Sequence, residues 1–301
     1  MTPAATSAAP AVRTPSTVRQ VVSDYVELTK PKVQSLLLLT TITTMEVAGS
    51  PSLSRIAFTC LGGYLSAGGA GAVNHYWDRD IDAQMTRTAS RPIPAGRIAP
   101  HAALIFGFAL SALSFALLSL TVNVLAASLA MGGFLGYVGV YTIWLKRRTP
   151  QNIVIGGAAG AIPPLVGWAA TTGSLSWTAV YLFAIVFYWT PPHFWALSLL
   201  MKSEYEKVGV PMMPVVRGER ETRKQILLYS LLLYAMTQLP FCAGAFGGIY
   251  LVTSMALGFA FIGGAVLLYR RADRRSALRL YLFSLLYLAL LFGAMVIDIK
   301  L

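Results

Sequence analysis

Charge is scarce in this chain. Only 12% of its 301 residues are Asp, Glu, Lys or Arg, against roughly 25% in a soluble domain. That is too little to cover the surface of a water-soluble globule. Cysteine is scarcer still: Cys60 and Cys242 are the only two. They exclude a disulfide framework, and both lie in apolar stretches where a thiol behaves as a small hydrophobe. Acids are half as frequent as bases, 12 against 24, leaving a net charge of +12. Disorder is excluded from the other side, because 56% of the residues are hydrophobic and mean hydropathy is +0.63, far above what unstructured chains show. A polytopic membrane protein remains.

Nine hydrophobic runs are expected to cross the bilayer, at approximately 33–51, 53–74, 101–122, 124–145, 152–172, 177–199, 225–246, 249–269 and 277–297. Each suffices for a helix, which needs about 20 apolar residues to span. A transmembrane barrel would instead show strands of about ten residues alternating in polarity. Of the 24 Lys and Arg, 22 fall in the N-terminal segment and in the loops after the second, fourth, sixth and eighth runs, counting Arg279 at the very start of the ninth run with the last of these loops. The positive-inside rule then makes the N-terminus and those loops cytoplasmic. An odd number of spans leaves the C-terminus outside. The net charge is therefore a topology signal spread over several loops, and it gives no argument for nucleic-acid binding.

The fold class expected is an all-α membrane bundle of nine helices, a single domain over 25–301 behind a flexible tail at 1–24. The first 20 residues, rich in Ala, Ser, Thr and Pro and free of acid, read as that tail or as a weak organelle-transit resemblance. No secretory signal peptide and no convincing internal repeat are evident. Gly62, Gly63, Gly68, Gly69 and Gly71 in the second run, with Gly156, Gly157 and Gly160 in the fifth, predict close helix packing. They place the second and fifth spans centrally.

Chemistry concentrates at the cytoplasmic end of the second span, in Asn74-His-Tyr-Trp-Asp78-Arg-Asp80-Ile-Asp82. Asn74, Asp78 and Asp82 are spaced four apart, so on a helix they drift only about 40° per step and rise roughly 6 Å each time, forming one stripe. Asp80, about 200° away from Asp78, is read as structural. Stacked oxygen ligands suit a hard divalent cation such as Mg²⁺, which binds one or two carboxylates and completes its shell with substrate phosphates. Solvated acids or pairs with Arg79, Arg87 and Arg91 are the plain alternative. Arg87, Arg91 and Arg97 follow closely, and a cation with arginine forks is what a diphosphate needs. Arg97 is read instead as a headgroup anchor.

Other basic residues face the same side: Lys30 and Lys32 before the first span, and Lys146, Arg147 and Arg148 after the fourth. Most are topology anchors; Lys32 and Lys146 are retained as candidates, with Tyr141 shortly before Lys146. The loop after the sixth span, Lys202-Ser-Glu204-Tyr205-Glu206-Lys207, forms a second polar centre in which Glu204 is a candidate for a second metal. Upstream, Pro191-Pro192 is expected to break the sixth helix beside His193.

NHYWDRDIDAQMTRTASRPIPAG resembles the first Asp-rich motif of the UbiA-type intramembrane prenyltransferases, NxxxDxxxD. Further segments, LTKPKVQSLLLLTTITTM, YTIWLKRRTPQNIVIGGAAGAIPPLVGW, WTPPHFWALSL and GVPMMPVV, are similar to the haem O synthase (protohaem IX farnesyltransferase) branch. The resemblance covers about 25–300. It implies transfer of farnesyl from farnesyl diphosphate to a vinyl group of haem B, giving haem O and diphosphate.

Position by position, it implies Mg²⁺ at Asn74, Asp78 and Asp82, with Arg87 and Arg91 on the diphosphate and Tyr141 and Lys146 aiding the leaving group. His193 belongs to the branch's PPHFWALS segment, for haem positioning or iron ligation. Lys202, Glu204 and Tyr205 fall in its KDY-like segment, with Glu where Asp is expected. Val208 stands where the superfamily's second motif, DxxxD, would close, so that motif is incomplete. Tyr188, Trp189, Phe194 and Trp195 are expected around the chamber. Membrane lipid is an implied partner, as is association with a haem A synthase, and the implied location is a bacterial plasma membrane or a mitochondrial inner membrane. Two competing readings stand beside this one: a UbiA-type enzyme acting on an aromatic quinone precursor, and an ion-coupled transporter whose Asp stripe holds the coupling ion. A transporter would usually show repeat symmetry and polar residues at mid-membrane, whereas here they gather at one mouth.

Overall fold

A computed structural model describes residues 17–301, which are almost wholly helical and contain no strand. The first helix, α1 (Val18–Leu28), starts at Thr17, whose side chain accepts from the Gln20 N–H at 3.3 Å. A one-turn bond from Gln20 Nε2 to Asp24 Oδ1, 3.1 Å, supports it. Residues 18–24, expected to belong to a tail, are therefore helical. The rest of that expected tail, 1–16, lies outside the described residues.

The order continues through α2 (Pro31–Ala48), α3 (Leu53–Trp77), the short α4 (Arg79–Gln84), α5 (Pro100–Thr121) and α6 (Val124–Leu135). α6 runs on into a π-helical segment, Gly136–Leu145. Then come α7 (Asn152–Gly160), α8 (Ile162–Thr172), α9 (Trp177–Leu200), α10 (Lys202–Lys207), α11 (Met213–Val216), α12 (Gly218–Cys242), α13 (Gly248–Arg271) and α14 (Arg274–Lys300).

Seven of these are long and apolar enough to cross a membrane: α3, α5, α6 with its π extension, α7–α8 together, α12, α13 and α14. The chain is thus a multi-pass membrane protein. α2 and α9 are helical where spans were expected but fall outside the seven. Their composition explains it: α2 carries Lys32, Gln34, Glu46 and four threonines, and α9 carries two prolines, His193 and three tryptophans.

One expectation about a helix break is corrected. α9 passes through Pro191 and Pro192 without interruption; both are buried, in a helix packed against the largest apolar cluster, whose neighbours hold it across the missing bonds. The break falls instead at Ala161, whose N–H is shared between the Gly157 and Ala158 carbonyls at 3.1 Å each. Pro163 and Pro164 then occupy the first turn of α8, where no N–H is required. α12 also begins earlier than hydropathy suggests, at Gly218. Glu219 and Glu221 favour a helix N-terminus, and the Glu219–Arg223 and Glu221–Gln225 pairs brace its polar first turns.

The main core joins α9, α12, α13 and α14 through Trp195, Ile226, Tyr250, Phe261, Tyr287 and Phe292. On the other side α3 meets α5 with almost no side chain between: a Cβ on Gly69 would lie 2.5 Å from the Gly107 carbonyl oxygen. Gly62, Gly68, Gly71, Gly156 and Gly157 are similarly crowded, whereas Gly63 and Gly160 face open space. Close packing therefore accounts for all but those two. Half of the most apolar stretch of α3 and of α7–α8 is buried, against 44% for α14 and 28% for α5, α6, α12 and α13, so these two are the most buried of the seven.

Candidate active site

α3 ends at Trp77, and Asp78 is the hinge into α4. The stripe survives that junction because four-residue hydrogen bonds cross it: Asp78 N to Asn74 O at 2.9 Å and Asp82 N to Asp78 O at 2.8 Å. Asn74, Asp78 and Asp82 are all buried, at 3%, 1% and 4% exposure. Buried carboxylates persist only when paired or ligated.

Each has a cation from a different element. Lys146, following the π segment, pairs with Asp78 Oδ2. Arg91, from the loop after α4, reaches Asp82 Oδ2 at 2.7 Å. Lys30, in a left-handed turn between α1 and α2, donates to Asn74 Oδ1 at 2.5 Å and to the Tyr137 hydroxyl at 3.4 Å. Asn74 Nδ2 in turn donates to Asp78 Oδ2 at 2.7 Å and to Thr142 Oγ1 at 3.2 Å. Burial pulls the Lys30 ammonium down to about 7, with Arg91 and Lys146 adding to the effect.

Asp80 points away, as its angle on the helix required. It takes a two-pronged bond from Arg147 at 2.6 and 2.7 Å, and that bond holds its carboxyl below the usual range. Arg147 also comes to 3.7 Å from Asp78 Oδ1.

The π segment alters the spacing of its own residues. Its five-residue hydrogen bond runs from the Lys146 N–H to the Tyr141 carbonyl at 2.9 Å, bringing two residues five apart onto nearly one face. In an α-helix they would diverge. Tyr141 stacks obliquely on Tyr137, centroids 5.4 Å apart, and packs with Ile81, Met85, Ile153 and Tyr205. Burial raises the Tyr205 hydroxyl above its ordinary value.

Other expected site residues lie at the edge of this cluster or away from it. Lys32 and Arg87 are exposed and make no ion pair among the described residues, though the Arg87 charge bears on the Tyr205 hydroxyl; it is Lys30, read as an anchor, that reaches Asn74. Lys202 is drawn to Glu219 at 3.3 Å. Glu204 accepts from the Thr86 N–H at 2.9 Å, tying α10 to the loop beyond the stripe. Arg97 is not a headgroup anchor, because it grips the buried Asp24 of α1 at 2.9 Å.

His193 lies elsewhere, between α9 and α14. Its ring stacks on Trp189 and Tyr281, at 4.3 and 4.8 Å. Nδ1 lies 2.6 Å from the Ser284 hydroxyl, which itself lies 2.6 Å from the Tyr281 carbonyl, to which it donates. One hydroxyl proton cannot serve both, so the histidine carries its proton on Nδ1. Of the chamber aromatics, Trp189 and Trp195 are core while Phe194 is exposed.

The donor set fits a divalent cation. Asp78 Oδ1 is buried without a hydrogen-bond partner. Among the described residues no three His, Cys, Asp or Glu converge into a cage, but two carboxylates and an amide suffice where phosphates complete the shell.

A model of the UbiA prenyltransferase family matches residues 36–291. The chain belongs to that family. Within it, this chain is 55% identical over 289 residues to a protoheme IX farnesyltransferase of Chloroflexus aurantiacus, covering 95% of this chain and 49% of the relative. A protein of the same name from Symbiobacterium thermophilum is 56% identical over 284 residues, covering 93% and 95%. The UbiA-family chain thus spans about half the length of some relatives and nearly all of another. Among solved structures, one concerning digeranylgeranylglyceryl phosphate synthase superposes with a TM-score of 0.77 at 20% identity, covering 93% and 99%. A UbiA homologue from Archaeoglobus fulgidus bound to DMAPP and Mg²⁺ gives 0.66 at 16%, covering 90% and 99%. At such identities the likeness establishes the fold.

Proposed function

We propose that this protein transfers the farnesyl group of farnesyl diphosphate to a vinyl group of haem B, with addition of water, giving haem O and diphosphate. The observation that carries the reading is the convergence of Lys30, Arg91 and Lys146 on the buried Asn74–Asp78–Asp82 stripe, in a chain whose relatives at 53–56% identity bear the name protoheme IX farnesyltransferase. Asn74, Asp78 and Asp82 would hold Mg²⁺, which supplies positive charge to the diphosphate oxygens when bound.

The chain's own residues do the rest. Lys146 and Arg91 are held against the stripe by the fold itself, so an arriving diphosphate meets donors already in position. Such preorganised charge stabilises the leaving group as the allylic C–O bond ionises. The haem vinyl carbon then bonds to farnesyl C1. The carbocation left on the haem side takes water and loses a proton, and the released diphosphate carries away the C–O electron pair. Tyr141, Tyr205 and Ile81 wall the stripe with apolar surface that limits premature capture by water. His193, with Nδ1 tied to Ser284, is assigned to the haem side.

We read α2 and α9 as spans too, making nine with the N-terminus cytoplasmic. Their ends support this. Lys300, closing α14, bonds Glu46 and the Gly49 carbonyl beyond α2, at 3.1 and 3.3 Å. Arg274, opening α14, donates to the Leu200 carbonyl at the end of α9 at 2.9 Å. The bacterial relatives favour a bacterial plasma membrane, and farnesyl diphosphate, haem B and lipid are the partners expected. Diphosphate release from farnesyl diphosphate by the purified protein, dependent on haem B and abolished by EDTA, is the expected result. Release that is unaffected by EDTA would contradict it.

A further inference from the structure

One buried side chain beside the stripe is left without any partner. His75 follows Asn74 directly and is 1% exposed, yet neither Nδ1 nor Nε2 makes a hydrogen bond. A neutral imidazole always carries one N–H donor and one acceptor, so burying both unsatisfied is costly and calls for an explanation.

Its position narrows the explanation. His75 is four residues beyond Gly71 and three before Asp78, so it shares their side of α3. Helical side chains lean back over the preceding turn, and here that turn is covered by the end of α1 and by Lys30: a Cβ on Gly71 would lie 2.9 Å from the Leu28 carbonyl oxygen and 3.5 and 3.6 Å from Lys30 Cγ and Cδ. The same lysine continues to Asn74. The charged groups that bear on the ring are Lys30, Arg91 and Lys146, all cations. In their charged forms none accepts a hydrogen bond, and together they favour an anion with several acceptor oxygens.

We propose that His75 is a substrate-binding residue whose ring N–H donates to a phosphate oxygen of the prenyl diphosphate, held between Lys30 and the stripe. The assignment rests on the function proposed above. It accounts for a polar group kept buried and unpaired by the protein: its partner arrives with the substrate.

The test compares His75→Leu, His75→Asn and His75→Gln in the full chain, using inorganic diphosphate with Mg²⁺ as the probe in calorimetric titration and melting temperature without ligand as the second readout. Leu removes the hydrogen bond, while the amides restore a donor near Nδ1 or Nε2. The expected result is about a tenfold weaker affinity for His75→Leu, at least one amide variant within roughly threefold of wild type, and a ligand-free melting temperature for His75→Leu no lower than wild type. Unchanged affinity in His75→Leu overturns the assignment. So does a loss that neither amide restores, or an equal fall in ligand-free stability for all three variants, since each marks a packing role. If the unmutated protein itself fails to bind diphosphate with Mg²⁺, the proposed function falls first, and that outcome is read from the wild-type arm alone.

Discussion

The Lys146 backbone N–H reaches five residues back to the Tyr141 carbonyl, at 2.9 Å, and this bond sets the geometry of the site. It winds Gly136–Leu145 as a π-helix, a rare form that recurs at functional sites. Tyr141 is thereby turned against Gly156 of α7 while Lys146 meets Asp78. Lys146 and the Tyr141 ring beside it are thus placed by one backbone distortion.

The Asp78–Lys146 pair bears on both stability and activity. Asp78→Asn should reduce turnover by roughly 100-fold or more, the scale of losing one preorganised charge contact. It should also lower stability, because the partly buried Lys146 loses its partner, at a cost below the about 3–5 kcal/mol of breaking a fully buried pair. Adding Lys146→Met should recover much of the stability and none of the activity. A double-mutant cycle on melting temperature and product formation checks this. Independent, additive stability effects would show that the pair does not matter to the fold.

Gly156 and Gly160 provide a matched pair. A Cβ at Gly156 would come within 2.4 Å of Tyr141 Cδ2, whereas one at Gly160 meets nothing. Gly156→Ala should therefore displace Tyr141 and reduce kcat by about 10- to 100-fold, in line with the cost of misplacing site groups. Gly160→Ala should be near neutral. Equal activities for the two variants would deny Tyr141 a role at the site.

Arg97 and Asp24 fasten α1 to the loop beyond the stripe. Arg97→Met leaves the Asp24 carboxylate buried without its main partner, and should cost about 1–3 kcal/mol and open α1 to proteolysis. Unaltered melting and digestion patterns would mean the tether carries no load.

Much of this molecule is legible in its residues. Long apolar runs mark the helices because lipid offers the backbone no other partner, and four-residue spacing locates Asn74, Asp78 and Asp82 from the sequence alone. Lys30 is harder to find. It and Lys32 read alike as basic residues ahead of a span, and only the left-handed turn at Lys30, which leaves no periodic trace, aims one of them at Asn74. His75 carries no signal of its own inside a motif defined by Asn and Asp. The fate of Pro191 and Pro192 depends on neighbours packed around α9, which a single helix cannot report. Glu204 shows the same limit, since its bond to the Thr86 N–H joins segments far apart in the chain.

The central claim is the reaction itself. The most direct test is a mass spectrum of the haem extracted after incubating the purified protein with haem B, farnesyl diphosphate and Mg²⁺, beside a parallel sample containing EDTA. The expected result is haem that has gained a farnesyl group and one water with Mg²⁺ present, and unchanged haem with EDTA. Unchanged haem in both samples, from folded protein that binds both substrates, would contradict it.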